Sequence, residues 1–315
     1  MNIQTAIKAL MQGKNLSQNE MQEVMSAIMG GEATPSQISG FLVALAIKGE
    51  TVDEIVGAAT IMRSLAAPVD IQAQKIIDSV GTGGDGAKLF NVSTASSFVV
   101  AAVGGTVAKH GNRAASGNSG SADLLEAAGV NISIRPEQVA ECINETGIGF
   151  MFAPMHHAAM KHAIATRKEI AVRTVFNLLG PITNPARATH QLTGVFSRHW
   201  VEPMAEVLGR LGSQHALVVH SDDGLDEISL ATTTLVAEFK DGEVTSYTIG
   251  PEEFGIVPQS LGPLIIEDAA QSLKLIRSAL AGEPGPALDM VALNAGATLY
   301  AGDLSSSLVE GVAKL

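Results

Sequence analysis

The stretch Gly81-Thr-Gly-Gly-Asp-Gly86 limits the architectures open to this chain more than any other. It lies between Lys75–Val80, an apolar run that reads as a strand, and Ser93–Val103, which reads as an apolar helix. A strand passing through a glycine turn into a helix begins a β–α unit, and such units build parallel sheets. The alternation continues. Thr106–Lys109 reads as a strand and Ala122–Ala128 as a helix; Pro136–Glu145 is helical and Ile148–Phe152 a strand. Further strands are predicted at Gln191–Phe196, Ala216–His220 and Leu235–Phe239, with a hairpin turn at Asp241-Gly242. The expected fold is α/β, with a mostly parallel central sheet covered by helices. Ligands in such folds sit at the carboxyl ends of the strands. Polar clusters fall there, after Val80, Lys109, Phe152 and His220.

Residues 1–70 follow another pattern. Ser17-Gln-Asn-Glu20 and Thr51-Val-Asp-Glu54 fit the capping box, in which two side chains satisfy free helix N–H groups. Thr34-Pro35 puts an N-cap before a first-turn proline, and Gly30-Gly31 and Lys48-Gly49 read as stops. Ile38, Phe41, Leu42 and Leu45 share one helical face. About four short helices are predicted, closed by Ala66-Ala67-Pro68.

The formal charge of −12 argues against nucleic-acid binding, which depends on cationic contacts to phosphates. The charge is unevenly placed, however. Gly86–Ala122 contains no acid but has Lys88, Lys109 and Arg113. Thr146–Val201 contains one acid, Glu169, against Lys161, Arg167, Lys168, Arg173, Arg187 and Arg198. These windows carry +8 and the rest of the chain −20, which predicts a local anion site. Cys142 is the only cysteine, so no internal disulfide can form and a reducing, cytoplasmic setting is expected. Lys8 interrupts the N-terminal apolar residues, leaving no signal-peptide core. The weakly polar run Ala95–Ala108 falls short of the ~20 residues of a membrane span. Neither a membrane nor a nucleic-acid partner is expected.

Gly81, Gly83 and Gly86 match a loose dinucleotide fingerprint, but no acid follows until Asp123, and no Gly-Lys-Ser/Thr of a Walker loop is present. What remains is a nest of backbone N–H groups suited to phosphate oxygens, with Asn91-Val-Ser-Thr94 at the following helix start. Asp85 inside such a loop suits sugar hydroxyls or a metal held by the phosphates. Lys109-His-Gly-Asn-Arg113, continuing to Ser121, has the composition of a mobile flap over phosphate. Asp222-Asp-Gly-Leu-Asp-Glu227 crowds acids at a strand end, where a hard cation shared with ligand phosphates would relieve them. In Pro154-Met-His-His-Ala158 no carboxylate or thiolate completes a metal site, so these histidines read as satisfied or substrate-facing.

These strings, together with Asp223-Gly-Leu-Asp-Glu-Ile-Ser229 and Phe176-Asn-Leu-Leu-Gly-Pro-Ile-Thr-Asn-Pro-Ala186, closely resemble the anthranilate phosphoribosyltransferase family from the first helix to about Glu310. Pyrimidine nucleoside phosphorylases share the glycine-rich start but lack the Lys-His-Gly-Asn-Arg and Asp-Gly-Leu-Asp-Glu pair. The resemblance implies transfer of a phosphoribosyl group from PRPP to the amine of anthranilate, releasing pyrophosphate, in tryptophan biosynthesis. It implies a helical domain, 1–70, joined by helices from about 160–185, and an α/β phosphoribosyl-binding domain, 71–315, lacking a last helix. It further implies two Mg²⁺ ions and a homodimer packed through the helical domain.

Carried over by position, Gly81, Gly84, Asp85, Asn91, Val92, Ser93 and Thr94 would contact PRPP, as would Lys109, His110, Gly111, Asn112, Arg113, Ala114, Ala115, Ser116, Gly117 and Ser121. Gly81, Asn112, His157, Arg167 and Gly180 would line the anthranilate path, with Arg167 meeting the carboxylate. Ser93, Asp226 and Glu227 would hold the metal. No residue reads as a covalent nucleophile; Lys109 and Arg113 would neutralise charge on the leaving pyrophosphate. Leu89 stands where some family members place a hydroxyl residue, Ala158 where proline is frequent, and Ala171 where glycine is usual. Two other readings stay open here: a pyrimidine nucleoside phosphorylase, and a non-catalytic paralogue binding nucleic acid through the same cationic segments.

Overall fold

The computed structural model describes residues 1–114 and 118–315. Four helices open the chain: α1 (Ile3–Met11), α2 (Gln18–Met29), α3 (Pro35–Lys48) and α4 (Val52–Leu65). Ser17, Thr34 and Thr51 each form a reciprocal capping box, with Glu20, Gln37 and Glu54 respectively, and Pro35 begins its helix as expected. Glu54 also reaches beyond its own helix. Its fully buried carboxylate accepts from the Leu16 N–H at 2.9 Å and pairs with Lys48 at 2.8 Å, which ties α4 to the end of α3 and to the α1–α2 connection. A buried charge persists only with such partners.

The remainder alternates as read: β1 (Ile77–Gly81), α5 (Val92–Ala102), β2 (Val107–Gly111), α6 (Ser121–Ala127), α7 (Pro136–Thr146) and β3 (Ile148–Phe152). The one-turn α8 (Ala153–His156), α9 (Ile164–Ile170) and α10 (Val175–Ile182) follow, then β4 (His190–Gly194), α11 (Val201–Arg210) and β5 (His215–Ser221). A hairpin, β6 (Thr234–Lys240) and β7 (Glu243–Ile249), precedes α12 (Ala269–Leu280), α13 (Pro286–Ala301) and α14 (Leu308–Ala313). The sheet runs β3-β2-β1-β4-β5-β6-β7; its first five strands are parallel and the hairpin closes one edge antiparallel. Asp241 and Gly242, at φ 51° and 85°, supply the paired positive angles that a tight hairpin turn requires. After β1 the chain goes to one side for β2 and β3, then returns to the other for β4 and β5. The crevice of such a sheet opens where the order reverses, between β1 and β4.

Ala163 and the α10 residues Val175, Phe176, Leu178, Leu179 and Ile182 share one buried core with α1–α4, and α11 continues that core onto the sheet. Arg63, near the end of α4, donates from Nε to the Ile182 carbonyl (2.7 Å) and from Nη1 to that of Leu211 (2.8 Å). It thereby satisfies free carbonyls at the ends of α10 and α11; burial lowers its pKa to about 10. Among the described residues no helix is long and apolar enough to cross a membrane.

At the opposite end of the sheet from the crevice, the His215 ring spans two carboxylates, Nδ1 at 2.8 Å from Asp303 and Nε2 at 3.0 Å from Glu238. Tyr300 and Tyr247 donate to Glu238 at 2.7 and 2.9 Å. Burial opposes ionisation of both acids, but these hydrogen bonds outweigh it and hold each pKa down to about 2. Carboxylates with lowered folded pKa values stabilise the native state above their unfolded pKa, and that stability is lost as pH falls through the folded value. The melting temperature is therefore expected to fall between about pH 4.5 and pH 2, and less steeply in Glu238→Gln. Identical slopes would show that the network does not couple stability to acid.

Candidate active site

β1 delivers the glycine loop to the crevice. Gly83, Gly84 and Gly86 adopt φ of 65°, 79° and 79°, the left-handed region that only glycine enters without strain. The Gly83 N–H donates to Asp226 Oδ2 at 2.7 Å, so an acid from the β5–β6 connection already caps the loop. Room for that acid comes from two glycines. A Cβ on Gly81, at the end of β1, would collide with the Asp226 carboxylate, and one on Gly194, at the end of β4, with the Asp226 backbone. Asn294 of α13 anchors the acidic segment from below, exchanging hydrogen bonds with the backbone N–H and carbonyl of Ile228 at 3.0 Å each.

Asp226 and Glu227 are half-buried, and Asp85 faces them from the loop. Burial first, then the charge of Asp85, pushes Asp226 up to about 7; burial followed by Asp226 and Asp85 pushes Glu227 well above its ordinary value. Such crowding is what a divalent cation relieves. Among the described residues no three His, Cys, Asp or Glu side chains close into a complete cage. That suits Mg²⁺, which is usually held by one or two carboxylates together with substrate phosphates.

Lys109 lies beneath. It is 2% exposed on β2, donates to the Ser79 carbonyl at 2.6 Å and lies 3.3 Å from Ser93 Oγ at the start of α5. Burial lowers its pKa, against the attraction of Asp78 and Glu227. Lys109 contacts the Ser93 hydroxyl and attracts Glu227, so lysine, hydroxyl and acid form one group. The Thr94 hydroxyl is buried with no partner among the described residues. Asn91 is committed within the protein: Nδ2 donates to the Ser119 carbonyl at 2.9 Å, and Oδ1 accepts from Ser119 and Ser272 at 2.8 and 2.7 Å. Leu89 pairs through its backbone with Ile265 and packs against the core.

The flap differs from expectation at one residue. Arg113 is paired with Glu126 and Asp123 on α6 and lies over the Phe152 ring, so its charge is balanced within the protein instead of facing the glycine loop. Asp123 was not singled out by sequence, yet it organises this segment, accepting from the N–H groups of Ala114 and Gly120 at 2.9 Å each. Gly111 permits the contact of β2 with Ser121 and Phe150, and Asn112 Oδ1 accepts from the Arg113 N–H at 2.8 Å. Ala115, Ser116 and Gly117 lie outside the described residues.

On the helical side, His110 Nδ1 lies 3.2 Å from the Gly180 carbonyl, and its ring centroid 5.1 Å from that of His157. Burial, reinforced by neighbouring histidines, drives the two pKa values down to about 3 and 4. Both rings are therefore neutral. With Nδ1 facing a backbone carbonyl, His110 keeps an acceptor at Nε2, which has no protein partner among the described residues. Arg167 on α9 lies 5.0 Å over the Phe176 ring; burial lowers its pKa, and no carboxylate pairs with it among the described residues. Ala171, ending α9 at φ 48°, occupies the left-handed position that explains a preference for glycine there.

The helical bundle domain of a glycosyl transferase family matches residues 4–66, and the α/β domain of that family matches 73–315. Anthranilate phosphoribosyltransferase from Thioalkalivibrio sulfidiphilus is 59% identical over 99% of this chain and 92% of its own length. The crystal structure of the Thermus thermophilus enzyme of that name superposes with a TM-score of 0.92 at 48% identity, covering 98% of this chain and 92% of that one. The Saccharomyces cerevisiae enzyme, solved in complex with PRPP and Mg, gives a TM-score of 0.88 at 25% identity over 99% and 92% of the two chains. With both domain matches in order and this identity along nearly its whole length, the chain belongs to the anthranilate phosphoribosyltransferases of the glycosyl transferase family.

Proposed function

We propose that the protein transfers the phosphoribosyl group of PRPP to the amine of anthranilate, giving N-(5-phosphoribosyl)anthranilate and pyrophosphate, a step of L-tryptophan biosynthesis. The observation that carries this reading is the convergence at one crevice of a glycine nest, of crowded carboxylates and, third, of neutral histidines with an arginine on α9 that pairs with no acid among the described residues. A donor rich in phosphate belongs at the first two features and a small aromatic acid at the third. In the reaction the bond from ribose C1 to the pyrophosphate oxygen breaks with its electron pair leaving on pyrophosphate, the aniline nitrogen lone pair forms the new C–N bond, and that nitrogen then releases one proton to water.

Loop N–H groups and Lys109 hold the diphosphate where negative charge grows, and preorganised donors of this kind are typically worth ~3–4 kcal/mol each. Arg167 takes the anthranilate carboxylate and so sets the amine's direction. His110 and His157, neutral and with acceptor nitrogens, suit an amine donor. When bound, Mg²⁺, as two ions on Ser93, Asp226 and Glu227, would neutralise the donor's diphosphate. The exposed apolar residues Met11 and Ile47 on α1 and α3 support a homodimer through the helical unit, and the lone cysteine supports a cytoplasmic setting.

The deciding assay is PRPP-dependent loss of anthranilate fluorescence. Arg167→Ala is expected to raise the anthranilate KM by about 10-fold or more, with the PRPP KM little changed. Equal effects on both constants would remove Arg167 from the carboxylate.

A further inference from the structure

Arg173 has no part in the chemistry described so far. It lies in the short connection 171–174 between α9 and α10, where the left-handed turn at Ala171 breaks the helix carrying Arg167. The connection crosses to the sheet side of the crevice. There the Arg173 guanidinium lies 4.5 Å over the ring of Phe196, just beyond β4, and Nη2 donates to the Gly84 carbonyl in the glycine loop. Phe196 is itself fixed to that loop, because its N–H donates to Thr82 Oγ1 at 2.9 Å. Arg173 is exposed, and no carboxylate pairs with it among the described residues. An exposed arginine held by a ring and a carbonyl, with its charge uncompensated, is an unusual use of a surface cation.

The consequence lies in the geometry of the peptide unit. In a trans peptide the C=O and the following N–H point in opposite directions. Holding the Gly84 carbonyl on Arg173 therefore fixes the direction of the Asp85 N–H on the other side of the loop. Gly83 and Gly84 both have positive φ and no Cβ, and Asp226 holds only the Gly83 N–H, so without this restraint the Gly84–Asp85 peptide plane turns with little steric resistance. A cradle of N–H groups binds an anion well only if its orientation is fixed before the ligand arrives.

We propose that Arg173 is a positioning residue for the phosphoribosyl donor, holding the glycine loop in its anion-binding form and adding a positive charge at its rim. The proposal rests on the PRPP reading of this crevice. Phe196 is the platform that makes the arginine flat and preoriented. Arg173→Ala is expected to raise the PRPP KM about 10-fold or more while the anthranilate KM and the melting temperature stay near wild type. Phe196→Leu, which leaves the charge in place, should reproduce part of that rise, and Arg173→Lys should fall between wild type and Arg173→Ala.

A PRPP KM in Arg173→Ala within about twofold of wild type would overturn the proposal. So would a matched rise in both KM values with a lowered melting temperature, which would mark the arginine as structural. If the wild-type enzyme consumes no anthranilate, the parent reading fails on its own account. Calorimetric titration of PRPP with Mg²⁺ into wild type and Arg173→Ala then decides: weaker binding by the variant upholds the positioning role, and equal binding ends it.

Discussion

Asp226→Asn combined with Glu227→Gln is expected to lower turnover by about a thousandfold or more while leaving the melting temperature unchanged or higher. The two effects share one cause. The pair is crowded by burial and by Asp85, so its acids hold their protons to higher pH than free carboxyls do. An acid with a raised folded pKa favours the native state when protonated, and that advantage disappears as pH rises through the folded value. As pH rises through these folded values, about 7 for Asp226, the ionising pair therefore opposes folding in the metal-free protein, and amides of the same shape remove the repulsion. They also remove the anionic oxygens that a hard cation needs. Thermal melts in EDTA and PRPP-dependent anthranilate consumption over a Mg²⁺ titration test both halves. Wild-type turnover at saturating Mg²⁺, or a melting temperature lowered by many degrees, would refute the assignment.

Gly194→Ala is the second large effect, and it arises from a residue with no chemistry. Its new methyl would occupy the place of the Asp226 main chain, between the strand that brings the glycine loop and the strand that leads to the acids. Overpacking of a fixed backbone typically costs about 1–3 kcal/mol, occasionally more. Here the strain falls on the segment holding Asp226 and Glu227. A lowered melting temperature is expected together with a loss of turnover that excess Mg²⁺ does not restore. Wild-type values for both would show that the acidic segment can move aside without consequence.

The elements legible in the sequence were those written by local signals. Capping boxes, a first-turn proline and 3.6-residue periodicity act within one turn of helix, so α1–α4 matched their reading closely. The glycine loop was legible for a similar reason, since positive φ leaves its mark on residue type. Contacts between distant residues were not legible. Gly194 looks like any strand-end glycine until Asp226, 32 positions later, is seen against it. Arg173 was counted as one more cation, because its partner Gly84 is 89 positions away.

Arg113 shows why counting charge along a chain misleads. The acid-free window ends at Ala122, and the two acids that compensate Arg113 are Asp123 and Glu126, immediately beyond it. Similarly, Arg198 in the second window pairs with Asp222 outside it, at 2.9 Å. The +8 therefore overstates the charge free for a ligand. Arg167 and Arg173, which pair with no acid among the described residues, belong to that free share.

The double role of Arg63 bears on how the crevice can open. One guanidinium holds the ends of α10 and α11, so neither helix can leave α4 without stranding a carbonyl. Because α10 carries the Gly180 carbonyl that faces His110, one wall of the crevice hangs from the same point. Moving either helix away from α4 gives up one of these hydrogen bonds, a net cost of about 0.5–1.5 kcal/mol each. The wall that carries the Gly180 carbonyl is in this way tied, through one guanidinium, to both α4 and the end of α11.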